Sequence, residues 1–146
     1  MAVAQILARK GRSVVTVAPG RTLQEIAGIL ADKKIGAVVV VDAKGAIAGI
    51  VSERDVVSAV ARHGAAGLKK AASDVMTAKV RTCAPDDTEA ELMGLMTTHR
   101  IRHLPVVEGG KLAGMVSIGD VVKLRIESVE REAEDLKSRS EEHTSE

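Results

Sequence analysis

A seven-residue pattern that occurs twice constrains this 146-residue chain more than any other feature. Gly49-Ile50-Val51-Ser52-Glu53-Arg54-Asp55 returns as Gly114-Met115-Val116-Ser117-Ile118-Gly119-Asp120, a shared Gly-x-x-Ser-x-x-Asp. Upstream, Thr16-Val17-Ala18-Pro19 returns as Thr82-Cys83-Ala84-Pro85, Thr22 to Glu25 matches Thr88 to Glu91, and Ile35 to Val41 matches Ile101 to Val107. The prolines are 66 positions apart and the glycines 65, so register holds through one insertion or deletion. Each copy has roughly 50 to 60 residues, too few to bury a stable core alone. The copies are therefore expected to share a core, with anything functional lying between them.

Composition narrows the function classes. The chain is 45% apolar, enough for a core, yet it has no Phe, Trp or Tyr. It thus lacks the rings on which nucleic-acid modules stack bases. With 21 basic and 20 acidic residues the net charge is +1, and no global field favours nucleic acid or a membrane surface. The lone Cys83 cannot close an internal disulfide and reads as a small buried hydrophobe in a strand. No apolar run approaches the ~20 residues of a membrane span, and no secretory signal is visible, so the expected location is the cytoplasm. His63, His99, His103 and His143 show no metal-ligand spacing, and nothing pairs a nucleophile with a base.

Local patterns give the order of elements. Val3, Ile6 and Leu7 predict a short amphipathic anchor helix within residues 1–12, closed by Lys10-Gly11. In the first unit, 13–63, Ser13 to Val17 reads as a strand. Thr22 and Glu25 form a capping box, and Leu23, Ile26, Ala27 and Leu30 make one apolar helical stripe. Val38 to Val41 and Ile47 to Val51 are predicted to form a hairpin around Asp42–Gly45, followed by a helix from Glu53 to Arg62. Residues 64–74 read as a linker, and Val75-Met76, just beyond it, replays the Ile6-Leu7 anchor. The second unit, 75–125, repeats strand, helix, strand, strand, helix, and its last helix has no stop signal. Val122, Ile126, Val129, Ala133 and Leu136 form a heptad stripe continuing through an extension at 126–138. Two readings of that stripe stay open: packing on the chain's own body, or a seam between two copies. The polar segment 139–146 breaks the pattern. It reads as a translated adapter remnant, with the native C-terminus missing, or as a plain tail, and no function is expected of it.

Ser52 and Ser117 stand where a strand passes into a helix, with Asp55 and Asp120 three residues on. That spacing is close to a capping box. It also sets a carboxylate beside a helix N-terminus, whose free N–H groups suit an anion. Both readings remain available from the residues alone.

Taken together, Pro-x-x-Thr before the first helix of each unit, Ile101-Arg102-His103-Leu104-Pro105-Val106, and the doubled Gly-x-x-Ser-x-x-Asp resemble a tandem CBS-domain pair, or Bateman module. The resemblance covers about residues 3–130. It implies an α/β (α+β) fold of two pseudo-symmetric βαββα units packed sheet to sheet, extended by the C-terminal helix and dimerising into a disc of four units. It also implies an adenosyl ligand, such as AMP, ADP, ATP, NAD(H) or S-adenosylmethionine, in the cleft between units, acting as a regulatory signal to an effector protein rather than as a catalytic cofactor. Asp55 and Asp120 would hold ribose, with Ser52 and Ser117 near ribose or phosphate. Asp55 would face Val80 to Thr82 and Ile101, Arg102, His103 and Leu104. Asp120 would face Val14 to Thr16 and Ile35, Gly36, Ala37 and Val38. Arg54, Arg102 and His103 give the Asp55 site three potential cations where the other site has none, so phosphorylated nucleotides are expected there. Two alternatives stand beside this reading: an assembly module whose Ser-x-x-Asp pairs only cap helices, and, more remotely, a nucleotide hydrolase.

Overall fold

The computed structural model describes residues 1–144. Helix α1 (Val3–Lys10) ends at Gly11, whose φ of 91° favours glycine. Strand β1 (Thr16–Val17), helix α2 (Leu23–Lys33), the hairpin β2 (Ala37–Val41) and β3 (Ile47–Ser52), and helix α3 (Glu53–His63) form the first unit. Then come a 3₁₀ segment (Gly64–Lys69) and helix α4 (Ala72–Val75). Helix α5 (Glu89–His99), the hairpin β4 (His103–Glu108) and β5 (Lys111–Ser117), and helix α6 (Ile118–Thr144) form the second. The caps expected from sequence are made: Thr22 accepts from the backbone N–H of Glu25, and Thr88 from that of Glu91, each at 3.2 Å.

The first strand of each copy differs from expectation. In the first unit it shrinks to Thr16–Val17, paired in parallel with Val39 and Val40. In the second it is a single parallel bridge, Cys83 to Val106. The cause is one residue. Val39 donates to the carbonyl of Val15 at 3.1 Å, but the matching position in the second unit is Pro105, which has no N–H to give.

Each unit holds its own core, so the expectation of one shared core is corrected. Val17, Leu23, Ile26, Leu30, Val38, Val40 and Val51 fill the first; Leu92, Met96, Leu104, Val106, Val116, Val121 and Leu124 fill the second. What the copies share is their anchors, which are exchanged. Val3, Ile6 and Leu7 of α1 are buried in the second core, while Ala72 of α4, with Val75 and Met76, packs in the first. Matching backbone bonds dock them: Ala4 donates to Pro85 and Ser73 to Pro19, Val3 to Asp87 and Ala72 to Arg21. The repeated glycines receive these anchors. A Cβ on Gly49 would lie 2.5 Å from Met76 Sδ, and one on Gly114 would lie 2.5 Å from Leu7 Cδ2.

The segment 64–74, expected to be a linker, is ordered and packed. Gly67 comes so close to α3 that a Cβ would fall 2.5 Å from the carbonyl oxygen of Ala59. Strand β2 is buried on both faces: Val38 and Val40 point into the first core, and Ala37 and Val39 are also covered. On β4, Pro105 is buried between the core residues Leu104 and Val106. Alternation along a strand sends Ala37, Val39 and Pro105 to the face opposite each core.

Helix α6 has 27 residues, about 40 Å at 1.5 Å per residue. Val121, Leu124 and Ser128 face the body, and Arg125 reaches Glu89 on α5 at 3.6 Å. The heptad stripe does not pack on the body: Val122, Ile126, Val129 and Leu136 are 37%, 53%, 47% and 65% exposed. The segment 139–146 continues this helix as far as Thr144, and its last two residues lie outside the described ones.

Candidate functional site

A cavity of about 710 Å³ opens between the units, within the size range of small-molecule sites. The first unit contributes Gly36, Ile50, Val57, Ser58 and the strand-to-helix turn Ser52 to Asp55; the second contributes Thr77, Lys79 to Arg81 and His99 to His103. Ser52 ends β3 and caps α3. Its N–H donates to Asp55 Oδ2 at 2.8 Å, its hydroxyl to the same oxygen at 3.1 Å, and its Oγ accepts from the Asp55 N–H at 3.4 Å. All these bonds to the carboxylate fall on Oδ2. The capping geometry is therefore real, and it aligns the carboxylate at the cavity wall rather than consuming both of its oxygens.

Of the residues expected around Asp55, the cavity gathers Ser52, Arg54, Asp55, Val80, Ile101, Arg102 and His103. Leu104 is fully buried in the second core, and Thr82 is exposed outside the cavity lining. The cavity adds basic side chains beyond the three expected: Lys79, His99 and Arg100, and Arg81 from within the expected Val80 to Thr82. Five Lys and Arg side chains then face two carboxylates, Glu53 and Asp55. A cleft with that balance attracts a multiply charged anion.

The Asp120 side is built differently. The capping bonds repeat, with the Ser117 N–H 2.9 Å from Asp120 Oδ2 and the Asp120 N–H 3.2 Å from Ser117 Oγ. The same Oδ2 also accepts from Lys10 Nζ at 2.8 Å. Burial pushes the Asp120 carboxyl up, but the bonds from Lys10 and from the Ser117 backbone outweigh it and hold it below the usual range. The absence of a cation expected here is thus corrected: α1 brings one across from the start of the chain. The residues expected opposite Asp120 are scattered. Val38 and Ala37 are buried in β2, Ile35 packs on the first core, Val14 is half-buried and Thr16 exposed. Gly36 lines the Asp55 cavity instead, where a Cβ would come 2.8 Å from His103 Nε2.

His103 stands at the meeting of the two sides. Burial holds its pKa below 6.5; the Glu53 and Asp120 carboxylates oppose this, and Lys10 and Arg102 reinforce it. Cys83 is buried, and its thiol is pushed up to about 12 chiefly by that burial, leaving it unreactive. Among the described residues no cluster could hold a metal ion, and no helix is long and apolar enough to cross a membrane.

The doubled architecture has a known counterpart. The CBS domain matches this chain twice, over residues 3–62 and 72–127. The chain belongs to the CBS-domain family. It is 32% identical over 108 residues to the CBS domain-containing protein YhcV of Bacillus subtilis, a match covering 74% of this chain and 76% of that one. The crystal structure of the CBS-domain containing protein ATU1752 from Agrobacterium tumefaciens superimposes with a TM-score of 0.82 at 53% identity, over 85% of this chain and 92% of that one. Some of the similar structures carry ligands. The CBS pair of MJ0100, in complex with 5-methylthioadenosine and S-adenosyl-L-methionine, has a TM-score of 0.76 at 26% identity over 88% of this chain and 98% of its own. A CBS protein of Pyrobaculum aerophilum complexed with AMP has a TM-score of 0.73 at 28% identity over 82% and 89%. The expected family and the paired α/β architecture are both found.

Proposed function

We propose that this CBS pair is a regulatory sensor whose signal is an adenosyl ligand carrying phosphate, bound in the cavity at Asp55. The observation that carries the reading is the cavity itself: one ribose-competent carboxylate, Asp55, among five Lys and Arg side chains drawn from both units. Asp55 accepts hydrogen bonds from ribose hydroxyls. The N-terminus of α3 and Arg54, Lys79, Arg81, Arg100 and Arg102 receive phosphate. Ile50, Val57, Val80 and Ile101 wall the base without aromatic rings. AMP, ATP and NAD(H) fit this charge balance better than S-adenosylmethionine, whose sulfonium adds positive charge. Asp120, already engaged by Lys10, takes the ligand more weakly.

Because residues 52–58 and 77–103 meet across the cavity, a ligand held by both biases the relative setting of the units. It shifts that setting only by its differential affinity for two arrangements. A homodimer and the long α6 are the proposed route from this shift to an effector protein. A second reading, a ligand-free assembly module, is favoured by one observation: the Ser52–Asp55 cap is satisfied within the chain. Thermal shift separates them. With AMP, ADP, ATP, NAD+, NADH and S-adenosylmethionine, and GMP as control, ligand at 100 times its Kd adds about 2.7 kcal/mol. A midpoint rise of several degrees with adenine nucleotides, absent with GMP and lost in Asp55→Ala, is expected. A flat panel supports the assembly module.

A further inference from the structure

The exposed stripe of α6 carries apolar layers and flanking charges that together select both its partner and its direction. Val122, Val129 and Leu136 alternate with Ile126 and Ala133 along one face, all exposed. This face lies about a third of a turn from the body-facing Val121, Leu124 and Ser128. Five apolar layers at heptad spacing would remain in water unless another helix covered them. The flanking residues alternate in sign. One flank carries Arg125 and Glu132; the other carries Lys123, Glu130 and Lys137.

We infer that α6 pairs with α6 of a second copy as a parallel, in-register two-stranded coiled coil. In that arrangement each residue of the first flank meets the residue five positions on in the other copy. Arg125 meets Glu130 and Glu132 meets Lys137, each pair occurring twice by symmetry. Arg125 keeps its contact with Glu89, since a guanidinium has five N–H donors. An antiparallel pair covers only four of the five layers in either register. With 126 against 136 it sets Lys123 against Lys137 and brings Glu130 and Glu132 each against their own copies; with 122 against 133 it pairs the charges but leaves Leu136 opposite Gly119. The twofold axis of the parallel pair runs along the helices, so each body, about a third of a turn from the seam, lies on the side of its helix away from the partner helix. The inference rests on the homodimer of the proposed function and is independent of its ligand.

The test uses the full chain with Ala133→Cys. Cys83 is buried and unreactive, so the introduced thiol alone oxidises. In the parallel register position 133 faces itself, and mild oxidation should yield a disulfide-linked dimer. In an antiparallel pair it faces position 129 or 122, and no link forms. Sedimentation of the unmodified chain runs in parallel. A dimer without the crosslink overturns the inference but keeps the homodimer; a monomer at about 100 μM overturns both. Glu132→Lys turns two attractive pairs repulsive and should weaken the dimer about tenfold. Adding Lys137→Glu should restore it to within about twofold. Failure of the second change to rescue the first would contradict the register.

Discussion

At the scale of single residues, Asp55 faces an open cavity while Asp120 is engaged by Lys10 at 2.8 Å. Asp55 and Asp120 make the same capping bonds with backbone N–H groups, so the local sequence cannot tell them apart. Lys10 decides it, arriving from 110 positions away to take Asp120. Arg81 lies within the expected Val80 to Thr82 and adds a cation to the three expected there. Arg100 gave no warning because it closes α5 at φ 53°, in a left-handed conformation more often filled by glycine. His103 yields a pH prediction. Its pKa is lowered in the folded chain, so it is neutral at pH 7, and the stability this contributes is present above about 6.5 and declines as pH falls below that value. A phosphate beside it would raise the pKa again, so binding takes up a proton. AMP affinity measured by calorimetry between pH 8 and 6.5 should rise as pH falls. His103→Asn should flatten the dependence, and adenosine should lack it in either protein.

At the scale of elements, α4 lies at the end of a stretch read as linker, and α6 runs past the expected end at 138. Helices α1, α2, α3 and α5 and both hairpins followed from periodicity and caps and fell close to their expected places. The first strands did not, because pairing depends on the partner strand and Pro105 removes a donor that Val39 supplies. The exchange of α1 and α4 was also invisible: a short apolar helix carries no mark of which core it joins. Only the repeated glycines hint at it, and they do so by close approach rather than by conformation. Gly114→Ala forces Leu7, 2% exposed in the second core, to move; Gly49→Ala meets Met76 as far back as its Cβ, at 2.9 Å. Overpacking of this kind costs about 1–3 kcal/mol. Each variant should lower Tm by several degrees in a chain this size, whereas alanine at Gly28, with nothing within 4 Å of its Cβ, should not. Equal melting temperatures for all three would mean that the anchors yield freely.

At the scale of the whole molecule, the repeat made the pairing of units readable, and the basic cavity is its consequence. Neither unit could form it alone. The first brings the carboxylate and a helix N-terminus; most of the cations come from the second. What the sequence could not show was that burial would leave the α6 stripe in water, since heptad spacing suits a self-packed helix equally well. On the proposed reading, one adenosyl ligand binds at Asp55 rather than at both carboxylates equally. The most direct measurement is calorimetric titration of AMP into the full chain, Asp55→Asn and Asp120→Asn. Asparagine keeps the size of the side chain and an oxygen to accept from the cap, so melting temperatures should stay within a few degrees. Loss of a charged acceptor for ribose is worth about 1.5–3 kcal/mol, so Asp55→Asn should weaken AMP at least tenfold while Asp120→Asn changes it by less than about threefold. Unaltered binding in Asp55→Asn, or equal losses in both variants, would contradict the account.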